Sequence, residues 1–267
     1  MDSLILAKEI RRATLQMVHR VDASHVGGGL SMADLLAVLY GEILRFRPAE
    51  PKWADRDRFI LSKGHACAAL YAALALKGTF PVAELESYGR NGSKLMTHVS
   101  HKVPGVEFST GSLGHGLPFA CGKALAAKRA GNTWRVFAML SDGELDEGSN
   151  WEAILFAPQH RLDNLTVMVD YNQIQSLGSV GEVLELAPLA EKFRAFRWAV
   201  REVDGHDHAA LRECFRALPF EKGRPNCVIA RTVKGKGITF MENELKWHYK
   251  SPNAAQLQEA LSELDKS

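Results

Sequence analysis

No stretch of the sequence approaches the roughly 18 consecutive apolar residues of a membrane span. The N-terminus, Met1 to Arg20, carries an acid at Asp2 and an apolar run too short for a secretory signal. An excess of one charge is also missing. The 33 Lys and Arg nearly cancel the 31 Asp and Glu, which leaves no electrostatic footprint for nucleic acid. Cysteine is sparse, and Cys67, Cys121, Cys214 and Cys227 have no close spacing, so they read as reduced core residues and not as zinc ligands or a disulfide frame. Two common phosphate motifs are absent too. No GxGxxG follows a strand, and GLPFACGKA (Gly116 to Ala124) has the wrong spacing for a P-loop and an Ala where Ser or Thr is needed. These absences point to a soluble, cytoplasmic protein, with neither membrane nor nucleic acid as partner. At 267 residues, without repeat, low-complexity tract or linker, the chain is expected to form one α/β domain over residues 1–267.

What is present is organised around Val136 to Ile174. Val136 to Leu140 is apolar, long enough for a buried strand and too short for a helix. Asp142-Gly143 follows at its end, where a parallel sheet presents ligands. Trp151, Ile154, Leu155 and Pro158 then suggest one face of a helix before a break. A second apolar run, Leu165 to Val169, ends in Asp170-Tyr171-Asn172. A strand, crossover helix and strand of right-handed parallel geometry brings the two strand ends together, so Asp142 and Asn172, thirty positions apart, should sit side by side. A carboxylate, an amide oxygen and a nearby backbone carbonyl suit a small hard cation such as magnesium, with coordination positions left for phosphate oxygens. They are too few for an all-protein calcium cage and lack the nitrogen and sulfur that zinc prefers. Gly143, without Cβ, lets the backbone approach a diphosphate closely.

Elsewhere, Leu4 to Val21 reads as an amphipathic helix. It should end at Ser24 to Ser31, where three consecutive glycines break regular structure, and Ser31 should cap a helix running to Ile43. Phe59 to Leu61 is a short strand, followed by Ser62-Lys63-Gly64-His65 and a helix from Ala66 to Leu76. His65 thus lies where doubly wound folds place ligand groups. A glycine-rich loop with His98, His101 and His115 leads into a helix from about Leu117 to Arg129, with Pro118 in its first turn. Strands are expected at Trp198 to Val203 and Asn226 to Arg231, with Leu211, Phe215 and Leu218 on the helix between them. The tail, Ala254 to Lys266, reads as a short solvated helix. Strands alternating with helices predict a parallel sheet with helices on both faces.

Together, SHVGGGLSMADLLAVLY, DRDRFILSKGHACAALYAALALKG, PGVEFSTGSLGHG, SDGELDEGSNWEA and RTVKGKGITFMENELKWHYKSPN resemble transketolase, in the same order and over nearly the whole chain. The Asp142-Gly143 and Asn172 pair resembles the thiamine diphosphate motif, GDG followed about thirty residues later by N, with Ser141 replacing the first glycine. The resemblance covers the diphosphate-binding half of a transketolase. It implies the thiamine diphosphate-binding fold and the N-terminal subunit of a split enzyme that transfers two-carbon ketol units between sugar phosphates.

By the same resemblance, Asp142, Asn172 and the Ile174 carbonyl hold the metal: Mg²⁺, with Ca²⁺ or Mn²⁺ as substitutes. Gly143, Gly111, Ser112 and Leu113 contact the cofactor, and Glu147 lies at the subunit interface beside the cofactor site, with Glu152 a further acidic position behind it. His25, His65, His98 and His248 face diphosphate and substrate; His65 and His248 belong to the cofactor set as well. The sequence departs from the family at THVS (Thr97 to Ser100), which leaves His101 as a rival to His98, at Val26 in place of Pro, and at His115 in place of Gln. All three lie towards the substrate side. The near-neutral pKa of histidine suits proton movement around a two-carbon fragment.

The glutamate that activates the cofactor's aminopyrimidine belongs in transketolases to a second domain, which these residues do not resemble. A partner chain carrying that pyrimidine-binding domain is therefore implied, in a heterotetramer of two of each chain. A deoxyxylulose-phosphate synthase or the α chain of a 2-oxo acid dehydrogenase shares the metal motif. A non-catalytic binding module is the remaining alternative, and it predicts damaged metal residues.

Overall fold

The computed structural model describes residues 1–266. Five short strands form its sheet: β1 (Arg58–Leu61), β2 (Val136–Ser141), β3 (Leu165–Tyr171), β4 (Ala199–Asp204) and β5 (Asn226–Arg231). All pair in parallel, in the order β1-β2-β3-β5-β4. The helices are α1 (Ser3–Arg20), α2 (Val26–Ser31), α3 (Ala33–Val38), α4 (Cys67–Leu76), α5 (Gly116–Arg129), α6 (Gly148–Gln159), α7 (Val180–Val183), α8 (Leu189–Ala195), α9 (His208–Arg216) and α10 (Ala254–Lys266).

β2, β3 and β5 read as nearly continuous apolar runs because both faces of the sheet are covered there, whereas the edge strand β4 carries Arg201, Glu202 and Asp204 and is largely uncovered. On one face Phe137, Met139, Met168 and Val228 pack with α1, α3, α4, α9 and α10. On the other, Val136, Ala138, Leu140, Val167 and Ile229 pack with α5, α6 and α8. Each fully buried Val, Leu or Ile contributes about 1.5–3 kcal/mol to this arrangement. Register places Ser141 of β2 opposite Asp170 of β3, so the residues just past both strands emerge together at one edge. The four cysteines are free and buried, and burial pushes the Cys67 and Cys121 thiols up to about 12. No helix among the described residues is long and apolar enough to cross a membrane.

Four local expectations need correction. The three glycines do not break the chain: Gly27, Gly28 and Gly29 lie inside α2. A Cβ on Gly27 would stand 3.0 Å from Lys234 Cγ, and one on Gly29 3.1 Å from Thr14 Cγ2. Close packing therefore overrides poor helix propensity there. Ser31 caps no helix: it is the last residue of α2, Met32 stands before α3, and the Ser31 hydroxyl turns inward to donate to the Asp170 carboxylate (2.6 Å). Leu155 points outward, 59% exposed, while Ile154 and Pro158 are buried; Pro158 stays inside α6, which ends one residue later. The tail is not a solvated end. Leu257, Ala260 and Leu264, spaced along one face of α10, are buried against α1.

Candidate active site

The loops at the carboxyl edge of the sheet converge on a cavity of about 250 Å³. Its walls come from four strand ends, the start of one helix, a long loop and a turn, at the edge where a doubly wound sheet presents ligands. Past β2 lie Asp142 and Gly143. Past β3 lie Asn172, Ile174 and Gln175, and past β1 Lys63 and His65. Lys234 follows β5, and His25 and Gly28 come from the start of α2. His98, Gly111 and Leu113 arrive from the long glycine-rich loop and His248 from the turn Leu245–His248.

Asp142 and Asn172 do sit side by side. Asp142 is buried, and its carboxylate accepts N–H bonds from Gly143 (2.8 Å) and, across the gap between the strands, from Gln173 (2.5 Å). Gln173 adopts φ +64°, a left-handed turn that sets the direction of the segment carrying Ile174. Burial, reinforced by the nearby Asp170, pushes the Asp142 carboxyl up to about 6, against the pull of the two N–H bonds and Lys63. The Ile174 carbonyl accepts from the Lys234 ammonium at 2.8 Å.

The glycine-rich loop is held by close backbone approach. Thr110 Oγ1 donates to the Leu61 carbonyl (2.7 Å), and the buried Glu144 carboxylate accepts from Ser62 Oγ (2.5 Å) and Gly114 N (3.0 Å). A Cβ on Gly116 would lie 2.7 Å from Ser62 Cα. Only glycine lets the start of α5 cross β1 this closely.

Four imidazoles cap the cavity. The His25 ring lies 4.9 Å from His65, 5.9 Å from His98 and 5.1 Å from His248. His25 has φ +72°, and its N–H donates to the His248 carbonyl (2.7 Å). His98, not His101, reaches the cavity; His101 instead hydrogen-bonds Ser109 (2.7 Å) beside a separate groove. His115 is exposed at the start of α5, and Ser112 and Glu147 are exposed outside the cavity lining.

The whole chain matches known proteins of one kind. Residues 3–264 match the family described as transketolase, thiamine diphosphate binding domain. The chain is 38% identical over 254 residues to one subunit of the apulose-4-phosphate transketolase of Phocaeicola vulgatus, covering 95% of this chain and 90% of that one. It is 40% identical over 261 residues to 6-deoxy-6-sulfo-D-fructose transketolase subunit SqwG of a Clostridium species, covering 97% and 95%. Its fold superposes on transketolase from Leishmania mexicana with a TM-score of 0.93 at 29% identity, covering 99% of this chain but 41% of that one.

The chain belongs to the transketolase family.

Within this transketolase domain the oxygen set suits a hard divalent ion. Asp142, Asn172 and the Ile174 carbonyl border one cavity. Asp142 has backbone N–H groups as hydrogen-bond partners, and the Ile174 carbonyl already receives a cation. No group of three or more His, Cys, Asp or Glu that could hold a metal occurs among the described residues.

Two lysines of the cavity belong to none of the residue sets expected from the sequence. Lys63 is buried and paired with Asp170. Lys234 is buried with its ammonium donating to the carbonyls of Ile174 and Gln175 (3.3 Å) and to His248 Nδ1 (3.0 Å). Burial pushes Lys234 down to about 8, with Asp142 opposing and Lys63 reinforcing the fall. Their signal lay in SKGH and KGKG, lysines beside glycine just past predicted strands. Those lysines also alter the histidines. Burial, then the neighbouring imidazole and lysine charges, pushes His25 down to about 4 and His248 to about 3, and holds His65 well below its usual range. Near neutral pH these three rings are uncharged, contrary to the expectation of near-neutral titration. Since an ammonium can only donate, His248 Nδ1 is an acceptor and the ring proton sits on Nε2.

Proposed function

We propose that this chain is the diphosphate-binding subunit of a two-chain transketolase. It holds thiamine diphosphate through Mg²⁺ and, with a partner bearing the pyrimidine-binding domain, transfers a two-carbon ketol unit from a ketose phosphate to an aldose phosphate. The observation that carries this reading is the convergence of Asp142, Gly143, Asn172 and Ile174 with four histidines on one cavity.

Asp142, Asn172 and the Ile174 carbonyl would hold the metal, and Gly143, Gly111 and Leu113, which line the same cavity, would border the diphosphate. Lys234, which donates to the Ile174 carbonyl, would offer its charge to the anion. Thiamine diphosphate, when bound, would supply the electron sink that ketol transfer requires. Neutral His25 and His65 each offer one donor and one acceptor, and His248, whose Nδ1 is taken by Lys234, offers its Nε2–H, which suits them to orient sugar hydroxyls and pass a proton; His98 completes the ring around the fragment. The exposed Ser112, His115 and Glu147 lie on the side left for the partner, in a heterotetramer of two of each chain.

The names of the relatives point to modified or branched ketoses as donors. The test is co-purification with the candidate partner, then assay of xylulose 5-phosphate, apulose 4-phosphate and 6-deoxy-6-sulfofructose with thiamine diphosphate and Mg²⁺. Ketol transfer by the pair and not by either chain alone is expected. Full transfer by the single chain sinks the two-chain reading, and pyruvate as the sole effective donor sinks the transketolase reading.

A further inference from the structure

Lys234 lies on an irregular segment, Thr232 to Gly237, in which Gly235 (φ +81°) and Gly237 (φ +92°) turn the backbone away from the sheet. The segment is hydrogen-bonded along its length: Thr232 N donates to the Tyr171 carbonyl (3.2 Å), Lys236 N to the Val233 carbonyl (3.1 Å) and Gly237 N to the Glu242 carboxylate (3.0 Å). Thr232 Oγ1 donates to Asp170, Gly235 N to the Gly27 carbonyl (3.0 Å), and the Lys234 carbonyl accepts from Asn243 N (2.9 Å). The N–H of Val233, the residue directly before Lys234, donates to a side chain outside the cavity: His206 Nε2, at 2.9 Å.

That bond determines the His206 tautomer. A backbone N–H can only donate, so Nε2 must be bare and the ring proton must sit on Nδ1. Nδ1 faces the Asp34 carboxylate at 2.6 Å, an acceptor. Asp34 is itself buried and fixed, since it also accepts from Arg11 of α1 and from His208 Nε2 of α9 (2.9 Å). Burial pushes the Asp34 carboxyl up, but the histidine and arginine contacts outweigh it and hold it far below its usual range, so it remains an acceptor. A continuous chain of directed bonds therefore runs from α1 and α3 through one imidazole to the backbone that carries a cavity cation.

We infer that His206 is a positioning residue for Lys234: Asp34 holds its imidazole as the Nδ1–H tautomer, and the bare Nε2 anchors the Val233 N–H so that the Lys234 ammonium stays in the diphosphate cavity. The inference rests on the functional reading above for what Lys234 meets there, but not for the anchoring itself.

Two substitutions separate the halves of the ring. His206→Gln puts an acceptor oxygen near the place of Nε2 and keeps the Val233 bond. His206→Asn keeps a donor for Asp34 near the place of Nδ1 and leaves Val233 N–H without its acceptor. Hydrogen exchange by mass spectrometry on the full chain, without cofactor, reads the anchoring. Titration with thiamine diphosphate and Mg²⁺, alone and with the partner, reads its consequence. Loss of one directed hydrogen bond predicts that His206→Asn exchanges residues 232–237 roughly five- to tenfold faster than the parent and binds thiamine diphosphate weaker by a similar factor. His206→Gln should stay within about twofold on both counts. Equal behaviour of the two variants, or faster exchange with unchanged affinity, overturns the inference. A parent chain that binds no thiamine diphosphate under either condition sinks the functional reading instead, and the exchange measurement then decides the anchoring by itself.

Discussion

Lys63, just past β1, and Asp170, at the end of β3, form an ion pair with both side chains buried. Asp170 also accepts from the hydroxyls of Ser31 and Thr232, so one carboxylate ties together the ends of β1, β3 and β5 and the end of α2. Burial alone would push this carboxyl up; the Lys63 charge and the three donors hold it below its usual range. Removing one partner strands the other charge in the interior. Lys63→Met is expected to cost about 3–5 kcal/mol in urea unfolding, with the double variant Lys63→Met, Asp170→Asn recovering much of the loss. A single variant costing under about 1 kcal/mol would show that the pair is not desolvated as described.

Asp142 presents the reverse balance, since its charged form is disfavoured by burial while two backbone N–H groups support it. Removing it deletes both terms. Asp142→Ala should therefore unfold within about 1 kcal/mol of the parent. Its affinity for thiamine diphosphate with Mg²⁺ should fall at least about 100-fold, the upper end of the losses seen when even the supporting shell of a metal site is removed. Calorimetric titration checks the second statement; retained affinity would remove Asp142 from the metal site.

Two glycines should separate stability from binding. Alanine at Gly116 drives a methyl into the Ser62 backbone, whereas at Gly143 the contact is 3.0 Å from Cγ of the Gln175 side chain, which can move. Gly116→Ala is expected to lose about 1–3 kcal/mol or more through overpacking. Gly143→Ala should fold normally and bind thiamine diphosphate more weakly. Equal unfolding midpoints for the two would contradict the packing described here.

Acid stability should report on Asp57, which accepts from the backbone N–H and the guanidinium of both Arg45 and Arg135. Burial raises its pKa, but the Arg135 hydrogen bond and charge lead the contacts that bring it below the ordinary 3.8. A carboxyl depressed on folding stabilises the native state above its unfolded pKa, and that contribution fades as pH falls through the folded value. Asp57→Asn should cost roughly 1–3 kcal/mol at pH 7 because the arginines are partly exposed. The gap to the parent should narrow below about pH 4. A gap that is constant from pH 7 to pH 3 would exclude the charge as its source.

Much of the architecture was readable along the chain. A run such as Val136 to Leu140 must be buried on both faces, and a parallel crossover must return its successor to the same edge, so Asp142 and Asn172 were brought together by local patterning and chirality alone. His65 carried its own position because it sits just past a strand end, whereas His25 and His248 were placed by the resemblance of their segments to transketolase. His98 and His101 could not be separated in this way. Three residues apart in an irregular loop, they are distinguished only by which one faces the cavity.

The sequence by itself thus determined the parallel sheet, the edge at which the loops gather, and the oxygen-bearing groups of Asp142 and Asn172 found there, because these follow from periodicity and chain direction. Only the tertiary structure decided the electrostatics: which lysines lie buried among the ligands, that three of the histidines are uncharged, and that a glycine triplet is helix and a polar tail is core. Those properties depend on what approaches from distant parts of the chain, such as Lys234 against Gly27 and α10 against α1, and no local pattern encodes the neighbour.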